Sequence, residues 1–453
     1  MKINPSIFKE YDIRGRYPDE INEEVAYLVG RGYGSYLKEL KETKCVVGRD
    51  NRLSGPSLHE EMVKGIRESG IDVIDYGIVT TPMHYLTRRN ENCYGITITA
   101  SHNPKDDNGF KFSFDKWANA RGKMIYDFRD YIEAGNFSEG NGSYSEKNIC
   151  EDFIEYMKNN VDMGSKKLKV VVDPGNGTGA IICKECFALF PNLDVTYICD
   201  ESDGRFPNHH PDPAVEENLT MLKEKVLEVG ADIGVSYDGD ADRIGFINNL
   251  GEFVAADQFM IMVVRHLLPS LNNKTILYDV KCTKSLEDEI NKLGGIPYCY
   301  RTGTSYTEME TKEKEIEFGG EFSGHIFFND RDETLGCGIY SGLRMIEILS
   351  KTEQPMSELL NGITEYLSTP EIKITSANEK KFGVVAQVLE YVKEKNYEYL
   401  DIDGVKVKFN DGWALVRASN TGPNVLLRFE AQTSERLKEL KQEFQTLVEK
   451  LNQ

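Results

Sequence analysis

Three times along this 453-residue chain, a short apolar strand runs into polar turn-formers and then into a helical stretch. The strands are Cys45-Val46-Val47 before Gly48-Arg49-Asp50, Val170-Val171-Val172 before Asp173-Pro174-Gly175, and Ile276-Leu277-Tyr278 before Asp279-Val280-Lys281. A second strand follows in each unit, at residues 73–76, 195–198 and 297–300. Apolar runs of this length alternating with amphipathic segments predict parallel or mixed sheets with helices on their faces. Each unit then ends on a third strand that opens into an unusual polar loop. The loops are Thr99-Ala100-Ser101-His102-Asn103-Pro104, Asp238-Gly239-Asp240-Ala241-Asp242-Arg243, and Gly320-Glu321-Phe322-Ser323-Gly324-His325. Ligands of such sheets gather where strands end, so three such loops at equivalent positions predict three walls of one cleft.

The end of the chain reads differently. Strands at 405–409, 413–416 and 425–429 around an Asp411-Gly412 turn predict an antiparallel sheet. A helix over 434–451 closes it, with Leu437, Leu440, Phe444 and Leu447 on one face. The predicted fold class is therefore α/β: three similar mixed-sheet α/β domains at 1–149, 150–255 and 256–366, plus a smaller α+β domain at 367–453, around one central cleft.

Composition narrows the partners. With 54 basic and 74 acidic residues the formal net charge is −20, which argues against a nucleic-acid binder. An anionic substrate must then be met by locally gathered cations. Apolar runs such as 259–264 fall far short of the roughly 20 residues that cross a bilayer. The opening Met1-Lys2-Ile3-Asn4-Pro5 lacks the basic-then-apolar pattern of a secretory leader, so a cytoplasmic chain is expected, with no membrane partner. Nine cysteines, single apart from Cys183-x-x-Cys186 with no second such pair, read as thiols of a reduced compartment more than as zinc or redox ligands.

Each polar loop has a chemical reading and a bland one. Ser101 and His102 leave an apolar strand into a turn fixed by Pro104, and Lys111 follows. This is a nucleophile, or a phosphorylated serine, beside a cation; it is equally a polar turn. Asp238, Asp240 and Asp242 alternate between two strands. Clustered carboxylates repel unless a cation lies among them, and hard oxygen donors select magnesium or calcium. An EF-hand is excluded, because its sixth position is Arg243 and its twelfth Asn249. A solvated acidic loop is the alternative. Glu321 and Ser323 amid glycines offer hydrogen bonds to sugar hydroxyls, or form an ordinary glycine-rich turn. Arg417-Ala418-Ser419-Asn420-Thr421-Gly422 offers a guanidinium and successive N–H groups to an anion, or is a hairpin loop. Together the four loops point to phosphoryl transfer on a sugar phosphate.

These segments resemble the α-D-phosphohexomutase superfamily over essentially the whole chain. Phe8-Lys9-Glu10-Tyr11-Asp12-Ile13-Arg14-Gly15 is similar to its N-terminal signature. The resemblance implies that Ser101 carries the phosphoryl group, with His102 and Lys111 beside it. It implies Mg2+ on Asp238, Asp240, Asp242 and the phosphoserine, with Arg243 following. Glu321 and Ser323 would read the sugar's 3- and 4-hydroxyls. Arg417, Ser419, Asn420 and Thr421 would grip the phosphate that is not transferred, while Tyr11 and Lys281 also meet substrate. Arg14 and His325 would manage the hydroxyl proton. The implied activity is that of an isomerase-class intramolecular phosphotransferase. It would interconvert hexose 6-phosphate and hexose 1-phosphate through a hexose 1,6-bisphosphate, with a small phosphosugar as partner and a monomer or homodimer as assembly.

Ser323-Gly324-His325 is similar to both the phosphomannomutase/phosphoglucomutase and the phosphoglucosamine members, while Phe206-Pro207-Asn208-His209-His210-Pro211-Asp212-Pro213 and Asn420 resemble the phosphomannomutase/phosphoglucomutase branch more. A phosphatase and a sugar-phosphate-binding protein without catalysis are the other readings. Thr304, Cys337 and Gly422 depart from residues common in the branch, which leaves the preference among mannose, glucose and glucosamine open.

Overall fold

A computed structural model describes residues 3–115, 118–419 and 422–453. They form two compact units. The first contains the chain up to Ala256 together with Thr304–Lys312 and Ser323–Leu359. The second contains Asp257–Gly303, Glu313–Phe322 and Leu360–Gln453.

The first unit holds two mixed sheets. One is built from β1 (Ile13–Arg16), β2 (Lys44–Arg49), β3 (Asp72–Ile78), β4 (Tyr94–Ile98), β5 (Asp107–Phe112) and β6 (Tyr144–Glu146), in the order β1-β5-β4-β2-β3-β6. The other contains β7 (Leu168–Asp173), β8 (Leu193–Tyr197), β9 (Ile233–Tyr237), β10 (Ile244–Asn248) and β11 (Phe253–Val254), in the order β11-β10-β9-β7-β8. In the second unit β12 (Thr275–Asp279) pairs in parallel with both β13 (Ile296–Tyr300) and β14 (Phe318–Gly320). The three parallel cores, β4-β2-β3, β9-β7-β8 and β14-β12-β13, thus share one strand order. The fold class is four-domain α/β with mixed sheets, as the repeated pattern predicts. The antiparallel additions β4–β5 and β9–β10 flank the serine and aspartate loops.

Periodicity explains the parallel strands: Val170–Val172 and Cys45–Val47 are buried on both faces and read as continuous apolar runs. Side chains do not explain how closely the helices Glu23–Glu39 and Gly55–Glu68 pack; glycines do. A Cβ on Gly30 would lie 2.4 Å from the Met62 carbonyl oxygen, and one on Gly65 2.4 Å from that of Tyr27. Asn22 and Thr80 cap the helices Glu23–Glu39 and Thr81–Glu91 by accepting from Val25 and Met83 N–H groups.

In the second unit, strands Val405–Phe409, Gly412–Ala418 and Asn424–Ala431 form the predicted antiparallel meander. The closing helix Ser434–Leu451 buries Leu440, Phe444 and Val448, while Leu437 and Leu447 are partly buried at the margin of the same core. The helix Asn378–Glu394, which the sequence pattern did not single out, covers the sheet through Val384, Val388 and Val392. Cys183 and Cys186 lie buried on the short helix Cys183–Ala188; burial pushes the Cys183 thiol up to about 12 and that of Cys186 up as well. No helix among the described residues is long and apolar enough to cross a membrane.

Candidate active site

Ser101 follows β4 and adopts φ +50°, a left-handed backbone that a serine takes only when its surroundings impose it. Those surroundings are specific. The Ser101 N–H donates to Thr99 Oγ1 at 2.9 Å. Arg52, fully buried, donates to the carbonyls of Ser101 at 2.8 Å, Asn103 at 2.7 Å and Asp107 at 3.1 Å, and to Asp50 Oδ2 at 3.1 Å. One guanidinium therefore holds the whole serine turn from beneath. Arg52 belongs to no motif singled out above; its signal is the Gly48-Arg49-Asp50-Asn51-Arg52 run at the end of β2, which places a carboxylate two residues before a second arginine.

The Ser101 hydroxyl, 2% exposed as a residue, donates to Asp238 Oδ2 at 2.7 Å. Asp238, Asp240 and Asp242 leave β9 on the next loop, and one oxygen from each lies within 4.8 Å of the others. All three are buried. Lys111, from β5, donates to Asp240 Oδ2 at 2.8 Å and to Asp242 Oδ2 at 2.7 Å. Thr81 Oγ1 donates to the same Asp240 oxygen at 2.6 Å. Arg243 N–H donates to Asp238 Oδ1 at 3.1 Å.

The electrostatics follow from this crowding. Burial, then Asp242 and Asp240, push the Asp238 carboxyl well up. Burial also opposes ionisation of Asp242, but the Lys111 ammonium and His325 hold it well below the usual carboxylate range. Burial disfavours the Lys111 ammonium, yet Asp240 and Asp242 outweigh it and raise that group. Asp240 Oδ1 is buried with no hydrogen-bond partner among the described residues. Three converging carboxylates and an orphaned carboxylate oxygen fit a hard divalent cation, with Asp238, Asp240 and Asp242 as the ligands.

His325 completes this side. Its Nε2 lies 3.2 Å from Asp242 Oδ1 and accepts from Arg243 Nε at 3.4 Å, while Nδ1 is 2.9 Å from Ser323 Oγ. The Ile244 N–H donates to the Gly324 carbonyl at 3.1 Å, which ties the 323–325 segment to β10. Arg14 donates to Asn103 Oδ1 at 2.9 Å and pairs with Asp12. His102 Nδ1 is 3.4 Å from Ser101 Oγ; burial, then the Arg243 and Arg14 cations, hold its imidazole well below the usual range and so neutral. Tyr11 packs edge-on against Tyr306 with ring centres 6.0 Å apart.

The first unit thus brings together Ser101, His102, Lys111, Arg14, the three aspartates, Arg243, Ser323 and His325. Lys281, Glu321, Arg417 and Ser419 belong to the second unit. There Glu321 Oε1 accepts from the Gly303 N–H at 3.0 Å, and Lys281 Nζ lies 3.7 Å from Asp279 Oδ2. Arg417 pairs with Asp403 Oδ2 at 3.0 Å, and the same oxygen accepts from the Thr302 N–H at 3.2 Å. Ser419 Oγ accepts from the Gly422 N–H at 3.1 Å. Beneath this loop, Lys381 Nζ donates to the carbonyls of Ser419 at 2.7 Å and Gly422 at 3.0 Å. Asn420 and Thr421 lie outside the described residues. Of the three departures, Thr304 opens the helix Thr304–Glu313, and Cys337 caps Gly338–Ser350 by accepting the Tyr340 N–H at 3.3 Å.

Comparison with known proteins gives this geometry its context. The models of the four phosphoglucomutase/phosphomannomutase domains match residues 5–137, 151–251, 255–366 and 371–447. A phosphomannomutase/phosphoglucomutase of Pseudomonas syringae pv. tomato is 38% identical over 98% of this chain and 96% of its own. A phosphoglucomutase of Neisseria meningitidis serogroup A is 36% identical over 99% and 97%. The crystal structure of a phosphoglucomutase/phosphomannomutase family protein from Burkholderia thailandensis superposes with a TM-score of 0.92 at 34% identity, covering 99% of this chain and 98% of that one. By sequence and by fold, the chain belongs to the phosphoglucomutase/phosphomannomutase family of phosphohexomutases.

Proposed function

We propose that this chain is a phosphomannomutase/phosphoglucomutase that interconverts the 6- and 1-phosphates of mannose and glucose by way of a phosphorylated Ser101. The observation that carries this reading is the Ser101 hydroxyl, on a strained turn, 2.7 Å from the first of three clustered carboxylates in a chain of this family.

In the forward direction the Oγ–P bond of phospho-Ser101 breaks as a substrate hydroxyl oxygen bonds to phosphorus, giving a hexose 1,6-bisphosphate. The hydroxyl proton passes to a group at the site, with His325 and Arg14 as the candidates to take or steer it. The bisphosphate then presents its other phosphate; the Ser101 oxygen bonds to that phosphorus as its bond to the sugar oxygen breaks, and the sugar oxygen takes back the proton. Asp238, Asp240 and Asp242, together with the phosphoserine, would hold Mg2+, which when bound would supply positive charge against that developing on the transferred group. Lys111 stays charged between Asp240 and Asp242 and adds a fixed cation beside the reacting oxygens. Arg52 keeps the serine turn in its strained form throughout, so its position is set before the reaction begins. Arg243 meets the anionic substrate from the aspartate loop. Arg417, Ser419, Asn420 and Thr421 bind the phosphate that is not transferred, Lys281 also meets substrate, and Glu321 and Ser323 read the sugar hydroxyls.

The wider reading has domains at 1–149, 150–255, 256–366 and 367–453, a cytoplasmic monomer or homodimer, and hexose 1,6-bisphosphate as activator. The test is turnover of mannose 1-phosphate, glucose 1-phosphate and glucosamine 1-phosphate with Mg2+ and a trace of hexose 1,6-bisphosphate. Comparable turnover of the first two supports the reading. Preference for glucosamine 1-phosphate overturns the sugar assignment, and release of inorganic phosphate alone overturns mutase chemistry.

A further inference from the structure

Behind the aspartate loop, a second group of metal-ligating side chains takes no part in the chemistry above. Asp173 ends β7, Cys199 lies two residues beyond the adjacent parallel strand β8, and His209 comes from the long connection after it. One ligand atom from each of the three lies within 4.8 Å of the others. His209 Nε2 is 2.9 Å from Asp173 Oδ2. Asp173 is fully buried and the His209 side chain is 9% exposed, so their pair is largely internal, while Cys199 is partly exposed.

The atoms that do not face the cluster are held elsewhere. Asp173 Oδ1 accepts from the Gly175 N–H at 2.9 Å. His209 Nδ1 is 3.0 Å from the His210 carbonyl. Cys199 sits at φ +48°, an unfavourable backbone for a non-glycine residue, and its carbonyl accepts from the Asn176 N–H at 2.9 Å. A histidine whose outer nitrogen donates to a backbone carbonyl, beside a carboxylate oriented by a backbone N–H, has the supporting shell of a metal ligand set. A tetrahedral zinc site with bonds of about 2.0–2.3 Å places its ligand atoms roughly 3.2–3.8 Å apart, so the Cys199 distances, at most 4.8 Å, close by about 1.3 Å or less while the 2.9 Å His209–Asp173 pair opens by roughly 0.3 Å.

We propose that Asp173, Cys199 and His209 form a second divalent-cation site that takes a borderline-soft ion such as Zn2+, apart from the all-oxygen aspartate triad. The donor set decides the ion: one thiolate, one imidazole and one carboxylate favour zinc or cobalt, whereas Asp238, Asp240 and Asp242 favour magnesium. The two sites therefore differ in selectivity as well as place. Binding exchanges the thiol proton and the proton shared by His209 and Asp173 for the ion. The ion would clip the end of β8 to the connection that follows. That connection also reaches the serine turn's support: Asn51 donates to Ser202 Oγ at 2.9 Å, and the Arg52 guanidinium lies 5.3 Å from the Phe206 ring centre.

The test uses the full chain, stripped of metal and then saturated with Mg2+ so that the triad is filled. Co2+ is the probe, because only a thiolate ligand gives sulfur-to-cobalt charge-transfer absorption in the near ultraviolet. The expected result is one equivalent of Co2+ with that band, absent in Cys199→Ser and kept in Cys183→Ala. A second measurement needs no variant: Zn2+ added to the Mg2+-saturated wild type should slow alkylation of Cys199 at least 10-fold, read by peptide mass. Absence of the band in the wild type, its persistence in Cys199→Ser, or alkylation of Cys199 unchanged by Zn2+ overturns the proposal.

Discussion

Glu308, on the helix Thr304–Glu313, has no obvious reason to be a carboxyl. The residue is 8% exposed, and its Oε2 has no hydrogen-bond partner among the described residues. Burial pushes its pKa from the ordinary 4.5 up to about 8, against the pull of the Arg88 guanidinium. Between those two values the folded chain keeps a proton that the unfolded chain has released. Stability contributed by this group therefore falls as pH rises, by about 1.4 kcal/mol per unit. From about pH 5 to about pH 8 the fall has a ceiling of about 4 kcal/mol, which relaxation and water penetration reduce to roughly 1–3 kcal/mol. Glu308→Gln keeps the shape and removes the titration. Its stability relative to wild type should climb by that amount over the same range, whatever constant cost the amide carries. The assay is urea unfolding at several pH values in chelator, because Asp242 and Lys111 also act on Glu308 and a bound ion would change both. A variant that tracks the wild type in parallel, or loses ground as pH rises, refutes the reasoning.

Other consequences concern how the loops are held. Arg52→Met removes the only side chain described as donating to the Ser101, Asn103 and Asp107 carbonyls and strands Asp50. It should cost about 3–5 kcal/mol in unfolding experiments and lower mutase turnover more than it raises KM. Lys381→Met frees the Ser419 and Gly422 carbonyls; KM for hexose phosphates should rise about 10-fold or more with kcat changed much less, as a steady-state titration will show. Mg2+ at about 100 times its Kd should stabilise the chain by about 2.7 kcal/mol in thermal unfolding, and Asp240→Asn should abolish most of that gain.

Much of this was legible in the sequence, for an identifiable reason. Val170–Val172 and Cys45–Val47 are strands buried on both faces, so the fold is written locally as apolar runs, and the shared strand order of the three parallel cores follows from the repeat. The aspartate triad is legible because alternate spacing places three carboxylates on one short loop. What escaped depends on contacts distant in sequence. Arg52 acts on carbonyls about 50 residues away, and Lys381 on carbonyls about 40 residues away; the run around Arg52 marks the residue but not the carbonyls it meets, and no local pattern marks Lys381. Ser323 reads in sequence as part of a sugar-binding turn and His325, by resemblance, as a handler of the hydroxyl proton, while folding turns them toward each other and His325 toward Asp242. The packing of Thr304–Lys312 and Ser323–Leu359 with the first unit is likewise a property of the folded chain that periodicity does not carry.

The central claim is that Ser101 carries the phosphoryl group between the two positions of the sugar. The most direct measurement follows label from hexose 1,6-bisphosphate, in Mg2+, by peptide mass on the quenched enzyme and by analysis of the sugar products. The account predicts label on the Ser101 peptide, its chase into hexose 1- and 6-phosphate at the rate of turnover, and loss of both in a folded Ser101→Ala variant. Undiminished mutase turnover in Ser101→Ala, or label that reaches product without passing through the Ser101 peptide, would contradict it.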